Sequence, residues 1–142
     1  MKINTICPPR VKFAKQKTYD FFNSVMQVDT GIKRRKEHYW FMCERNLLAA
    51  LLYYYEGKSK PVGTDMVKQV LTGGVDEVRC LLGSITEGQS GAWYYNLLAG
   101  SSDSIFNSVI MGLMAKMDRL GDSQEGVHGL ERFARQHELV PI

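Results

Sequence analysis

The sequence predicts an all-α protein: a single compact bundle of about seven helices with no sheet. Three observations carry this. Apolar residues recur every three or four positions along most of the chain. No stretch alternates polar and apolar with the period of two that a half-buried strand requires. Glycine, serine and aspartate cluster between the periodic segments, where helices stop and start. A chain of 142 residues fits one domain and buries about two-thirds of its unfolded surface. Hydrophobic content of 44% and charged content of 23% are those of a folded globular chain rather than a disordered one.

Residues 1–10 contain Pro8-Pro9 and no periodicity, and read as an extended lead-in to a helical core over residues 11–122. A first helix is expected over 11–28, with Phe13, Phe21, Phe22, Val25 and Met26 on one face. Asp29-Thr30-Gly31 stops it, Gly31 being suited to a left-handed conformation. A second helix is expected over 37–56. Trp40, Cys43, Leu47, Leu51 and Tyr54 form its stripe, widened by Leu48, Leu52 and Tyr55. Apolar over so much of its circumference, it belongs in the middle of the bundle.

Two short helices follow at 66–71 and 75–82, separated by Gly73-Gly74, with Thr64 as the expected N-cap of the first. A fifth helix over 92–99 should bury Trp93, Tyr94, Leu97 and Leu98. Ser101, Ser102 and Asp103 are cap candidates for a sixth over 104–120, striped by Ile105, Val109, Leu113, Met117 and Leu120. Gly121-Asp122 is expected to close it, leaving a last helix and tail over 123–142. The residues expected at the centre of the core are Leu47, Leu51, Leu97, Val109 and Leu113.

The longest apolar run, residues 47–55, is far short of the roughly 20 residues of a membrane span, and residues 1–10 lack the apolar core of a signal peptide. Cys7, Cys43 and Cys80 are scattered with no CxxC, which fits reduced thiols in the cytoplasm and no metal site. His38, His128 and His137 are too far apart for a helical metal pair. Gly57-Lys58-Ser59 has the last triplet of a phosphate loop but neither its upstream glycine nor a preceding strand. No Gly-x-Ser-x-Gly elbow occurs. The residues therefore predict no enzyme and no cofactor.

Charge is distributed unevenly. Residues 1–36 hold nine of the eighteen Lys and Arg against two acids, a net +7, and the remainder is −4. Within the basic end, Lys33, Arg34, Arg35 and Lys36 are four adjacent cations. They are the candidate partner-binding residues, either solvated or available to nucleic acid or an acidic protein surface.

The order of these signals resembles the all-alpha domain of type IV secretion and conjugation coupling proteins of the TraG/TraD type. Tyr39-Trp40-Phe41 opens a Leu/Ala-rich helix, Asn46-Leu47-Leu48-Ala49-Ala50-Leu51-Leu52-Tyr53. Val67-Lys68-Gln69-Val70-Leu71 and residues 75–82 supply the two short helices, and Ala92-Trp93-Tyr94-Tyr95-Asn96-Leu97-Leu98 the aromatic one. Ser104-Ile105-Phe106-Asn107-Ser108 opens the long helix that follows, which closes at Leu120-Gly121-Asp122. The motor's phosphate loop is absent, so the resemblance is to the inserted domain alone. It implies a cytoplasmic, non-catalytic module at the mouth of a membrane-anchored DNA motor. Such a module would receive relaxase, relaxosome, DNA or other secreted cargo, and its two ends would lie close together. The rival reading is an independent helix-turn-helix regulator built on the two short helices. Its recognition helix, however, would open with Asp76 and Glu77 against a single base, Arg79.

Overall fold

A computed structural model describes residues 11–31, 34–58, 60, 62–85 and 90–136, with backbone alone at 90 and 122–136. The lead-in at 1–10 and the tail at 137–142 lie outside these residues. Among those described there is no strand, and six helices form: α1 (Gln16–Met26), α2 (Glu37–Gly57), α3 (Thr64–Thr72), α4 (Gly74–Gly83), α5 (Ser90–Ala99) and α6 (Asp103–Gln136). The all-α class agrees with the expectation.

α2 is the central element. Every residue from Asn46 to Leu52 is buried, so this segment meets protein on all sides. Its principal neighbour is α5, with α6, α1 and α4 completing the surround, while α3 packs on α6 and α4. The small residues Ala49 and Ala50 let α5 approach closely. At Gly91 an added Cβ would stand 3.1 Å from the Tyr53 Cβ and 3.5 Å from the Ala50 carbonyl oxygen. Tyr53 and Tyr94 stack across the same contact with ring centroids 5.8 Å apart. The tyrosines of α2 are thus packing residues that keep a polar end.

Four details differ from expectation. The count is six rather than seven because α6 is continuous through Gly121, and the boundary expected at residue 122 falls inside it. A helical glycine costs only about 1 kcal/mol relative to alanine, and the described glycines with positive φ are Gly31 (+76°) and Gly74 (+87°), not Gly121. At Gly121 an added Cβ would stand 3.4 Å from the Thr64 methyl, an ordinary van der Waals contact, so the helix runs through this position without needing glycine for a turn or for space.

Thr64 does not cap α3. Gly63 takes the cap position, and the Thr64 hydroxyl is buried without a hydrogen bond. The sixth helix is capped as expected, Ser102 Oγ accepting the Ile105 N–H at 3.2 Å.

α1 begins at Gln16 rather than at residue 11, because the chain before it bonds to α2 instead of to itself. The Tyr53 hydroxyl accepts the Lys12 N–H (2.6 Å), and the Glu56 carboxylate accepts those of Ala14 (2.7 Å) and Lys15 (2.9 Å). Val11 and Phe13 are buried by this arrangement.

Lastly, Leu97 is 45% exposed while Leu47, Leu51, Val109 and Leu113 are fully buried. α5 is apolar all round, so periodicity could not choose its inner face. The close approach at Gly91 chooses it, turning Ala92, Tyr94 and Leu98 inward.

Candidate functional site

The α1–α2 loop, the first turns of α2 and one face of α6 enclose a cleft of about 990 Å³. Its walls are mostly apolar: Met26, Val28, Trp40, Phe41, Met111 and Ala115. On α6 the lining runs from Asn107 to Lys116 with helical spacing, so that side of the cleft is about 14 Å long. Met111 projects from it, 61% exposed, the most exposed large apolar side chain among the described residues.

Beneath the floor lies an ionic network. Glu44 is fully buried, at a position of α2 in register with Leu47, Leu48 and Leu51. Its Oε2 accepts from Arg34 Nη1 at 2.9 Å, and its Oε1 lies 2.8 Å from Lys116 Nζ. Lys116 is itself buried. A buried carboxylate persists only when paired, and here two cations from separate elements supply the pairing. Space for it comes from Gly112, where any Cβ would collide with the Glu44 carboxylate. Each cation also faces an aromatic ring, Lys116 Nζ 5.1 Å from the centre of Phe41 and the Arg34 guanidinium 5.7 Å from that of Trp40.

Arg34 is further held by Glu37, through Nη2 to Oε1 at 2.8 Å and through its backbone N–H to Oε2 at 3.1 Å. The Glu37 hydrogen bond, reinforced by Glu44 against the opposing effect of burial, pushes the Arg34 guanidinium further toward the protonated form. In turn the Arg34 side chain holds the Glu37 carboxyl below the usual range.

The basic run is therefore not four equivalent charges. Arg34 turns inward as a structural anchor, whereas Arg35 and Lys36 are exposed and form no ion pair among the described residues. Lys33 lies outside the described residues. Lys36 sits at φ +57°, ψ +47°, a left-handed conformation uncommon outside glycine and asparagine. The Arg34–Glu37 bonds straddle it.

Comparison with protein-family models, curated proteins and solved structures found no match. What the site does must therefore be read from its own chemistry. Burial raises the Cys43 thiol away from the thiolate form, and Ser108 donates to the Ser104 carbonyl of its own helix at 3.1 Å. Among the described residues no group of three potential metal ligands forms, and no helix is long and apolar enough to cross a membrane.

The surface of α3 and α4 offers little to a DNA groove. Arg79 donates to the carbonyls of Ala99 (3.0 Å) and Ser101 (2.7 Å) and covers Phe106 at 4.4 Å. It closes the C-terminal end of α5, leaving Asp76, Glu77 and Cys80 as exposed side chains of α4.

Sequence reasoning singled out the basic run but missed Glu44, Gly112, Lys116 and Met111. A signal existed for two of them. Glu44 and Lys116 occupy core positions of otherwise apolar stripes, Lys116 being three residues after Leu113 and four before Leu120. A charge in register with a core stripe, on each of two helices, marks a buried pair.

Proposed function

We propose that this chain is a non-catalytic substrate-recognition domain of a conjugative or type IV secretion coupling protein. In this reading it works at the cytoplasmic face of the motor, attached to the motor domain of the same parent chain, and takes up relaxase, relaxosome or DNA cargo by surface complementarity. The observation that carries the recognition role is the cleft: a preformed apolar recess braced by a buried ion network, with Arg35 and Lys36 exposed in the adjoining loop. A large apolar recess with a few fixed polar groups is the usual form of a binding site. The link to coupling proteins is supported by the order of elements, with an aromatic opening, a Leu/Ala-rich central helix, two short helices, an aromatic helix and a long closing helix.

The test is binding to purified conjugative relaxases and to single-stranded DNA, followed by fluorescence anisotropy, together with ATP turnover by the purified chain. Expected are low-micromolar relaxase binding and no magnesium-dependent hydrolysis. Failure to bind either relaxase or single-stranded DNA would remove the coupling-protein reading. The alternative of a helix-turn-helix regulator on α3 and α4 predicts sequence-specific duplex binding, and is disfavoured by the commitment of Arg79 to α5.

A further inference from the structure

We infer that the cleft between the α1–α2 loop and α6 receives a protein segment whose apolar side chains are flanked by acidic residues, and not a nucleic acid. This deepens the recognition reading and rests on it, but it does not depend on the coupling-protein assignment.

Size is the first consideration. At about 990 Å³ the cleft stands at the top of the range of small-molecule pockets, and its α6 wall matches two to three turns of a partner helix. The lining is the second. Met26 and Met111 are unbranched and polarizable, the kind of wall that adapts to apolar side chains of varied shape. Met111, 61% exposed and lining the cleft, offers apolar surface that a partner's side chains can cover.

Charge is the third and decides the sign. The cleft and its loop carry Arg34, Arg35, Lys36 and Lys116 against Asp29, Glu37 and Glu44. Glu37 and Glu44 are consumed by Arg34 and Lys116. Asp29 keeps its charge while its Oδ1 accepts the Gly31 N–H at 2.8 Å, so the described cations of this region exceed its acids by one. Arg35 and Lys36 remain as the cations to be matched, and carboxylates on the partner match them.

Nucleic acid fits the same surface poorly. Single strands are held by a cationic track together with open aromatic faces on which bases stack. Here the Trp40 and Phe41 rings each already carry a cation of this chain. Among the described residues Arg35 and Lys36 alone of this loop's cations have no ion pair, and two cations neutralise few phosphates, whereas strong backbone binding uses many.

The experiment is selection of a random 16-residue peptide library, displayed on phage, against the folded chain. The most enriched peptides are then titrated in solution through Trp40 fluorescence in a Trp93→Phe background. The inference predicts peptides combining two or more large apolar residues with an excess of Asp and Glu over Lys and Arg. It predicts at least tenfold weaker binding to Met111→Asp, and at least tenfold weaker binding to the Arg35→Glu, Lys36→Glu double variant. Leu97→Asp, an exposed leucine on another helix, should bind as the parent does, separating loss of the cleft from a general change of surface. A 20-nucleotide single strand should fail to displace the peptide.

Peptides with no acidic bias, binding indifferent to Met111→Asp, displacement by the oligonucleotide, or no peptide enriched at all would each overturn the inference. Acidic apolar peptides that need Met111, obtained with a chain that ignores relaxase, would uphold the cleft assignment while removing the coupling-protein reading.

Discussion

The two ends of α2 solve the same packing problem with opposite chemistry. From Asn46 to Tyr55 the helix is enclosed almost entirely by hydrocarbon and aromatic rings, with Leu47, Leu48, Leu51 and Leu52 at zero exposure. From Glu37 to Arg45 it meets α6 and the α1–α2 loop through a fully buried carboxylate clamped by Arg34 and Lys116. The first end tolerates many apolar side chains of suitable volume. The second works only if three charged groups from three places in the chain arrive together, so it fixes position more strictly. That strictness sits where the cleft is, which is where a binding surface needs to be held still.

The largest expected effect separates the two chemistries. Glu44→Ala leaves Arg34 and Lys116 without their shared partner and should cost about 3–5 kcal/mol, the usual penalty for breaking a buried ion pair. Leu51→Ala at the hydrocarbon end should cost about 2–5 kcal/mol by the cavity it opens. Urea unfolding followed by circular dichroism measures both. The distinction lies in rescue. Glu44→Leu combined with Lys116→Met replaces the buried carboxylate and its buried cation by hydrocarbon, leaves Arg34 to Glu37, and should recover most of the loss. No second substitution of that kind exists for Leu51. A loss below about 1 kcal/mol for Glu44→Ala would mean that the network is peripheral to the packing.

Gly112 gives the next effect, and its sign depends on Glu44. In the parent chain Gly112→Ala drives a methyl into the pinned carboxylate and should destabilise by about 1–3 kcal/mol. With Glu44→Ala already present only the flexible tip of Arg34, 2.9 Å from the added Cβ, has to give way, and replacing a helical glycine should stabilise by about 0.5–1 kcal/mol. A double-mutant cycle on the same unfolding transitions reads the coupling directly. Additive effects would show that Gly112 is not held open by the carboxylate.

Much of the hydrocarbon end was legible from the sequence, and little of the ionic end was. The stripe of α2 and the glycine turns at Gly31 and Gly73-Gly74 follow from local rules of periodicity and positive φ, and the structure keeps them. Leu97 is exposed against expectation because the nearly all-apolar α5 offers too little polar patterning to mark its outer face. Gly121 resembles a stop in sequence because a glycine inside a helix and a capping glycine look alike; only its φ, which is not positive, separates it from Gly31 and Gly74. Arg34 is indistinguishable from its basic neighbours in sequence because Glu44 stands ten residues away and Lys116 on another helix. Long-range pairing of charges leaves no local pattern beyond a charge at a core position.

The smallest expected effect concerns acid. Glu37 is held below the usual value of 4.5 mainly by the Arg34 side chain, with burial opposing and the Arg34 backbone N–H assisting. A carboxyl whose folded pKa is depressed stabilises the folded state fully at pH above its unfolded value, and that contribution fades as pH falls through the folded pKa. The loop at the cleft end should therefore loosen below about pH 4.5, while the hydrocarbon end, which has no stake in this carboxylate, should not. The Trp93→Phe variant makes Trp40, at the cleft, the sole tryptophan. Its emission should shift at a higher pH than the loss of helical circular dichroism, and Glu37→Gln should remove the offset. Coincident transitions in the parent would mean that the Arg34–Glu37 bond contributes nothing separable from global unfolding, and the two ends of α2 would then respond to acid as one.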